Sequence, residues 1–84
     1  MMIDIIQLWT LIQQNQKQEF HTKTGVHFSY IAKDGHISLQ NTHRNIPKSD
    51  FEKALAKWPT DRVADLNFAQ GYAYVWAILN TLIG

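Results

Sequence analysis

The chain has 84 residues, no cysteine and a formal net charge of +1 at pH 7. This length allows one small domain with a thin margin of stability, and a hydrophobic content of 45% is typical of a globular chain, not a disordered one. Without cysteine there are neither disulfides nor thiolate metal ligands, which suits a reducing compartment. The apolar N-terminal residues lack a basic region and a small-residue cleavage site, so we do not expect them to act as a signal peptide. The longest apolar run, at 72–79, is too short to span a bilayer. We therefore predict one cytoplasmic domain over residues 1–84, with no membrane contact.

The first predicted element is a helix that begins after Asp4. Gln7 lies three residues later and completes a capping-box pattern. Apolar residues then recur with the spacing of one buried helical stripe, at Ile5, Leu8, Trp9 and Ile12. The polar run 13–18 is predicted to be the exposed end of this helix and a link.

A two-residue alternation follows, which is typical of half-buried strands. Asp34-Gly35 predicts a type I′ hairpin turn, because both of its central positions need positive φ. Thr24-Gly25 is a weaker turn signal. Together these features predict a three-stranded antiparallel meander with strands at about residues 19–22, 26–32 and 36–41.

The remaining chain is predicted to be a polar loop, 41–48, followed by helices. Ser49 and Glu52 form a second capping-box pattern, and Pro59 ends that helix. A short helical turn at 60–66 comes next. Asn67 is predicted to cap the last helix, which runs to about residue 83 and is apolar on nearly every side.

The predicted fold is therefore α+β, with a three-stranded antiparallel β-meander packed against three helices in the order α-βββ-α-α. Three blocks of the chain also resemble short bacterial proteins: Thr24-Gly25 with Phe28 and Tyr30, IPKSDFEKAL at 46–55, and YVWAIL at 74–79. The resemblance implies a compact bacterial domain, and it carries no activity and no site residue with it.

The middle of the chain carries an excess of positive charge. Residues 17–48 hold five Lys and Arg against two carboxylates, and all four histidines, which gain charge in mild acid. A three-stranded sheet can lay its open face in a DNA groove, and backbone amides at the helix start near Ser49 could hold a phosphate. The nucleic-acid-binding residues predicted on this basis are Lys23, Lys33, His43, Arg44 and Lys48.

Metal and catalytic chemistry find little support in the sequence. The four histidines lack the short spacing of a zinc motif. His27 and His36 flank the predicted hairpin and could face each other, but a third ligand is missing, so we predict no metal site, no cofactor and no catalytic residue. The one enzyme class that stays open is a small metal-independent RNase of the toxin kind, using His43 and Arg44 beside Lys48.

The apolar last helix leaves another alternative open. Its aromatic residues Tyr72, Tyr74 and Trp76 are typical of interface anchors, and they would serve a homodimer, an adaptor or an inhibitor. The same helix could equally be the centre of the core. From the sequence we expect a non-catalytic binding or accessory module, with nucleic acid as the leading ligand and self-association as a further property.

Overall fold

The computed structural model describes residues 3–84. Along the chain it contains helix α1 (Ile5–Gln14), strands β1 (Phe20–His21), β2 (His27–Phe28), β3 (Tyr30–Ala32), β4 (His36–Leu39) and β5 (Asn45–Pro47), helix α2 (Lys48–Lys57), a 3-10 turn (Val63–Leu66) and helix α3 (Tyr72–Leu82). The predicted α+β fold class and the order of its elements are confirmed.

The strands form two small antiparallel sheets. β1 pairs with β2, and β3, β4 and β5 form a three-stranded meander. The predicted strand 26–32 is divided at Ser29, whose carbonyl accepts a hydrogen bond from the Gln40 amide (3.0 Å). β2 therefore pairs with β1, whereas β3 pairs with β4. The third strand of the meander, β5, lies within the segment that was predicted to be a polar loop.

Both predicted hairpin turns are at the expected positions, but one has another geometry. Neither Asp34 nor Gly35 has a positive φ, so the type I′ prediction is wrong. The Lys33 amide donates to the His36 carbonyl (2.8 Å), which closes the turn one residue beyond the paired residues Ala32 and Ile37. In the other turn, Gly25 has φ 93°, a left-handed conformation that glycine adopts without strain.

Helix α1 begins as its sequence predicts. The Asp4 carboxylate accepts from the Gln7 amide (2.8 Å), and the Gln7 side chain accepts from the Asp4 amide (3.1 Å). The predicted stripe residues Leu8, Trp9 and Ile12 are buried. Periodicity and capping thus agree with the packing of this element.

The starts of the other two helices differ from their predictions. α2 begins at Lys48 and receives no side-chain cap from a described residue, so Ser49 is not its cap. Instead, the Lys48 amide donates to the Gly35 carbonyl (2.9 Å), which ties the helix start to the β3–β4 loop. Asn67 is not the cap of α3 either, because its amide closes the 3-10 turn by donating to Ala64 (3.2 Å).

Helix α3 is the centre of the core. Val75, Ile78 and Leu79 are fully buried, and α3 contacts α1, α2, β1 and the 3-10 turn. This position explains why the helix is apolar on nearly every side. Gly71 precedes it at a close approach, since a Cβ there would lie 2.7 Å from Cδ1 of Ile46.

Across residues 3–84, every helix falls short of the length and apolar character needed to cross a bilayer.

Candidate nucleic-acid interface

The five predicted nucleic-acid-binding residues lie in three separate places. Lys23 is in the β1–β2 turn, which belongs to the two-stranded sheet and not to the three-stranded one. Lys33 and Lys48 lie at one end of that sheet, and His43 and Arg44 lie in the β4–β5 loop at its other end. The structure therefore does not join the five residues into one surface.

Three of these cations contact their own chain. The Lys23 ammonium donates to the Asp61 carbonyl and lies 5.3 Å from the ring centroid of Trp76. The Arg44 guanidinium donates to the Gln70 carbonyl (2.8 Å). These contacts direct Lys23 and Arg44 toward the α3 side of the molecule.

Lys48 is held in a comparable way. Its ammonium lies 5.7 Å from the ring centroid of Trp9, a buried residue of α1. Such a cation–π contact stabilises the lysine at its own helix interface. A phosphate would have to compete with this contact for the Lys48 side chain.

The three-stranded sheet presents a different set of side chains to solvent. Its inner face is buried, with α1 against β3 and α2 against β5. Strand alternation and the register Ile31↔Ser38↔Asn45 place the other set on the opposite side. We call this set the open sheet face; it consists of Ile31, Lys33, His36, Ser38, Gln40, Asn45 and Pro47.

The open sheet face is polar and carries no carboxylate. Lys33, Gln40 and Asn45 are exposed, and Ile31, His36 and Ser38 are half-buried between their neighbours. Asp34 lies in the adjoining loop, and His43 lies at the Gln40 end. The face contains hydroxyl and amide groups, the side chains that form hydrogen bonds with base edges. It holds no Phe, Tyr or Trp side chain, the residues that form stacking platforms for unpaired bases.

Sequence reasoning selected Lys33 from this face and missed Ser38, Gln40 and Asn45. Their common orientation depends on β5, whose pairing with β4 places Asn45 beside Ser38. A single apolar residue, Ile46, between two polar neighbours gave too little alternation to indicate a strand. The shared orientation of these side chains can be recognised only from the register between β4 and β5.

The histidines do not form the arrangement that was considered for a metal. His27 lies opposite His21 in the β1–β2 pair, and its Nδ1 is 3.0 Å from the Glu19 carboxylate. His36 lies opposite Pro47 in the other sheet, so the idea that His27 and His36 face each other is wrong. Within residues 3–84, no cluster of three or more His, Asp or Glu side chains could hold a metal ion.

The residues named for the RNase alternative are also spread out. β5 separates Arg44 from Lys48, and its three residues span about 10 Å. Arg44 is directed toward Gln70 and Lys48 toward Trp9. His43, Arg44 and Lys48 therefore do not surround one point where a phosphate could react.

The three aromatic residues named for an interface have different surroundings. Tyr72 is 38% exposed. Tyr74 is half-buried and packs edge-to-face on Phe28, with the ring centroids 4.9 Å apart. Trp76 is buried, and its Nε1 donates to the Thr60 carbonyl (2.8 Å). As the structure stands, Tyr72 presents the most surface of the three.

Known proteins add no further constraint to these observations. No family model matches the chain, and neither a curated protein nor a solved structure is detectably similar to it. The resemblance of the three sequence blocks to short bacterial proteins thus stays an expectation, and any role for a residue must come from its geometry.

Proposed function

We propose that this protein is a non-catalytic binding module of the bacterial cytosol that holds duplex DNA against its open sheet face. The observation that carries the proposal is a three-stranded antiparallel sheet whose solvent side is polar and free of carboxylates. Phosphate groups repel carboxylates, so a polar face without them is a precondition for DNA contact.

The dimensions of the sheet support duplex DNA as the ligand. Three strands cover two inter-strand spacings, which is about 10 Å, and the major groove is about 12 Å wide. Ser38 lies on the central strand with Asn45 beside it on the edge strand, so that a hydroxyl and an amide group would meet base edges. The absence of Phe, Tyr and Trp from the face disfavours single strands.

The charge of the face sets the expected affinity. Lys33 is its one lysine. One phosphate contact corresponds to a slope of about −1 in a plot of log K against log salt. Binding should therefore be weak, with a Kd of about 10⁻⁴ M.

The test compares two variants with the same change in charge. We expect Ser38→Glu to abolish binding of a labelled duplex at low salt, measured by fluorescence anisotropy, because it places a carboxylate at the centre of the face. Ala56→Glu is the control, since Ala56 is exposed on α2, away from the sheet face. Circular dichroism checks that both variants fold.

Three results would contradict the proposal. Equal weakening by Ser38→Glu and Ala56→Glu would assign binding to overall charge. No binding by the wild type at low salt would exclude a nucleic-acid role. Cleavage of RNA in a metal-free buffer, lost in His43→Ala, would favour the RNase alternative.

A further inference from the structure

The two histidines of the β1–β2 hairpin form a close pair on the surface of the protein. His21 and His27 are exposed and lie directly opposite each other in the register of the two strands, with their ring centroids 6.0 Å apart. The Thr22 amide donates to the Val26 carbonyl (2.9 Å), which makes this the hydrogen-bonded position of the ladder. Because the two kinds of position alternate along an antiparallel pair, the histidines occupy a non-hydrogen-bonded position, where side chains lie closest together.

A carboxylate orients one ring of this pair. Nδ1 of His27 lies 3.0 Å from Oε1 of Glu19. A carboxylate only accepts hydrogen bonds, so Nδ1 carries the proton, and Nε2 of the neutral imidazole then keeps its lone pair. A histidine that donates one N–H to a carboxylate and offers its other nitrogen is the usual arrangement of a metal-bound imidazole in proteins.

We propose that His21 and His27 together bind Zn²⁺, or another divalent ion that prefers imidazole ligands, and that Glu19 positions His27 for this role. In a tetrahedral site zinc lies about 3.2 Å from each ring centre, because the Zn–N bond is about 2.0–2.1 Å and the ring adds about 1.2 Å. Two such rings have their centres about 5.2 Å apart. The observed separation of 6.0 Å exceeds this value by less than about 1 Å, which small rotations of two exposed side chains remove.

The hairpin holds the pair near this distance. Phe20 and Phe28, the neighbours of the two histidines, point to the opposite side and are buried, with their ring centroids 5.7 Å apart. The Gly25 amide donates to the Thr22 carbonyl (2.9 Å) and closes the turn. Strands fixed in this way lose little conformational freedom when a ligand bridges them, which favours binding.

Two imidazoles make an open site and set its selectivity. Among residues 3–84, no group of three or more His, Asp or Glu side chains forms a complete set of ligands, so water would fill the other positions of the ion. Imidazole suits Zn²⁺ and Cu²⁺, whereas Mg²⁺ and Ca²⁺ take oxygen ligands. Lys17 lines an open recess together with Glu19 and His27, and its charge lowers the affinity for a cation. Binding should therefore be weaker than at a closed structural zinc site.

The sequence predicted no metal site because the spacing of these histidines is not that of a zinc motif. The register of β1 and β2 brings together two residues that the spacing does not connect. The inference rests on this hairpin alone and is independent of the open sheet face.

Titration of the untagged chain with zinc chloride, followed by calorimetry, tests the inference. We expect the wild type to bind a single Zn²⁺, and His21→Ala and His27→Ala to bind it about tenfold more weakly or worse. Glu19→Gln should also weaken binding by about tenfold, because it removes the charge that orients His27. His43→Ala is the matched control, since it removes an exposed histidine of the β4–β5 loop. It should bind like the wild type, and magnesium chloride should give no response.

NMR spectra of the imidazole nitrogens identify the atoms that bind. Without metal, His27 should be the tautomer with the proton on Nδ1. Zn²⁺ should shift Nε2 of His27 and a ring nitrogen of His21, and should leave His36 and His43 unchanged. A wild type that fails to bind Zn²⁺ at millimolar concentration, or equal weakening by His21→Ala and His43→Ala, would overturn the inference. Shifts spread evenly over all four histidines would also overturn it, because they would show adventitious binding to surface imidazoles only.

Discussion

Removing the Tyr30 hydroxyl should destabilise the fold, because this group completes the end of α1. The hydroxyl donates to the Ile12 carbonyl (2.7 Å), and both residues are fully buried. Ile12 is among the last four residues of α1, whose carbonyls have no partner within a regular helix. Tyr30→Phe keeps the ring and leaves this buried carbonyl without its donor.

The expected loss in the free energy of unfolding is about 1–3 kcal/mol, the cost of a buried group left unpaired. For a chain of this size, each kcal/mol lowers the Tm by about 4–8 °C. Urea denaturation followed by circular dichroism measures the change. Tyr72→Phe is the control, because its ring is partly exposed, and it should change stability by less than about 0.5 kcal/mol.

The dependence on pH gives a second measurement of the same contact. Burial raises the pKa of the Tyr30 phenol above its ordinary value of about 10. Above that pH the unfolded chain releases the proton while the native chain retains it, so stability falls as the pH rises. The stability that Tyr30 adds over Phe is thus fully present below about pH 10 and decreases above it. If Tyr30→Phe matched the wild type at neutral pH, or if their difference stayed constant from about pH 8 to pH 11, this reasoning would be refuted.

Two further predictions concern helix starts. Asp4→Ala should cost about 0.5–2 kcal/mol in urea denaturation, because it removes the capping box, whereas Ser49→Ala should cost nearly nothing, because Ser49 caps no helix; equal losses would contradict both assignments. Gly71→Ala should destabilise by about 1–3 kcal/mol, because its Cβ meets the buried Ile46 side chain. Gly71→Ala should cost less in an Ile46→Val background, because valine lacks the Cδ1 atom that the new Cβ would meet. A double-mutant cycle of these two changes that showed no coupling would exclude this contact.

Where the sequence patterns are strong, they predicted local structure well. The capping box of Asp4 and Gln7 and the buried stripe of α1 both form as predicted, because capping and periodicity depend on residues within one helix. Signal strength did not decide the turns, because the weaker Thr24-Gly25 signal marks a turn with a left-handed Gly25, whereas the stronger Asp34-Gly35 signal predicted the wrong turn type. Fold class could be predicted because the two periods, about 3.6 and 2, follow each other clearly along the chain.

Prediction from sequence failed where contacts between distant parts of the chain determine the structure. Ser49 has the composition of a cap, but the bond between the Lys48 amide and the Gly35 carbonyl fixes the helix start elsewhere. The candidate site changed for the same reason. The sequence offered Arg44 as a phosphate contact, but its guanidinium donates to the Gln70 carbonyl, 26 residues further along the chain. Positive charge is visible in a sequence, but the side of a sheet on which it lies is set by register.

The central position of α3 has a consequence for how the protein is made. α3 follows every element that it packs against, including α1, α2 and β1. Ribosomes add about 5–20 residues per second, so α1 and the sheets wait for seconds before their core partner emerges. During this interval their apolar faces are open to water and to other nascent chains. Newly made chains should therefore depend on a chaperone, or on rapid completion of synthesis, more than the stability of the finished fold would suggest.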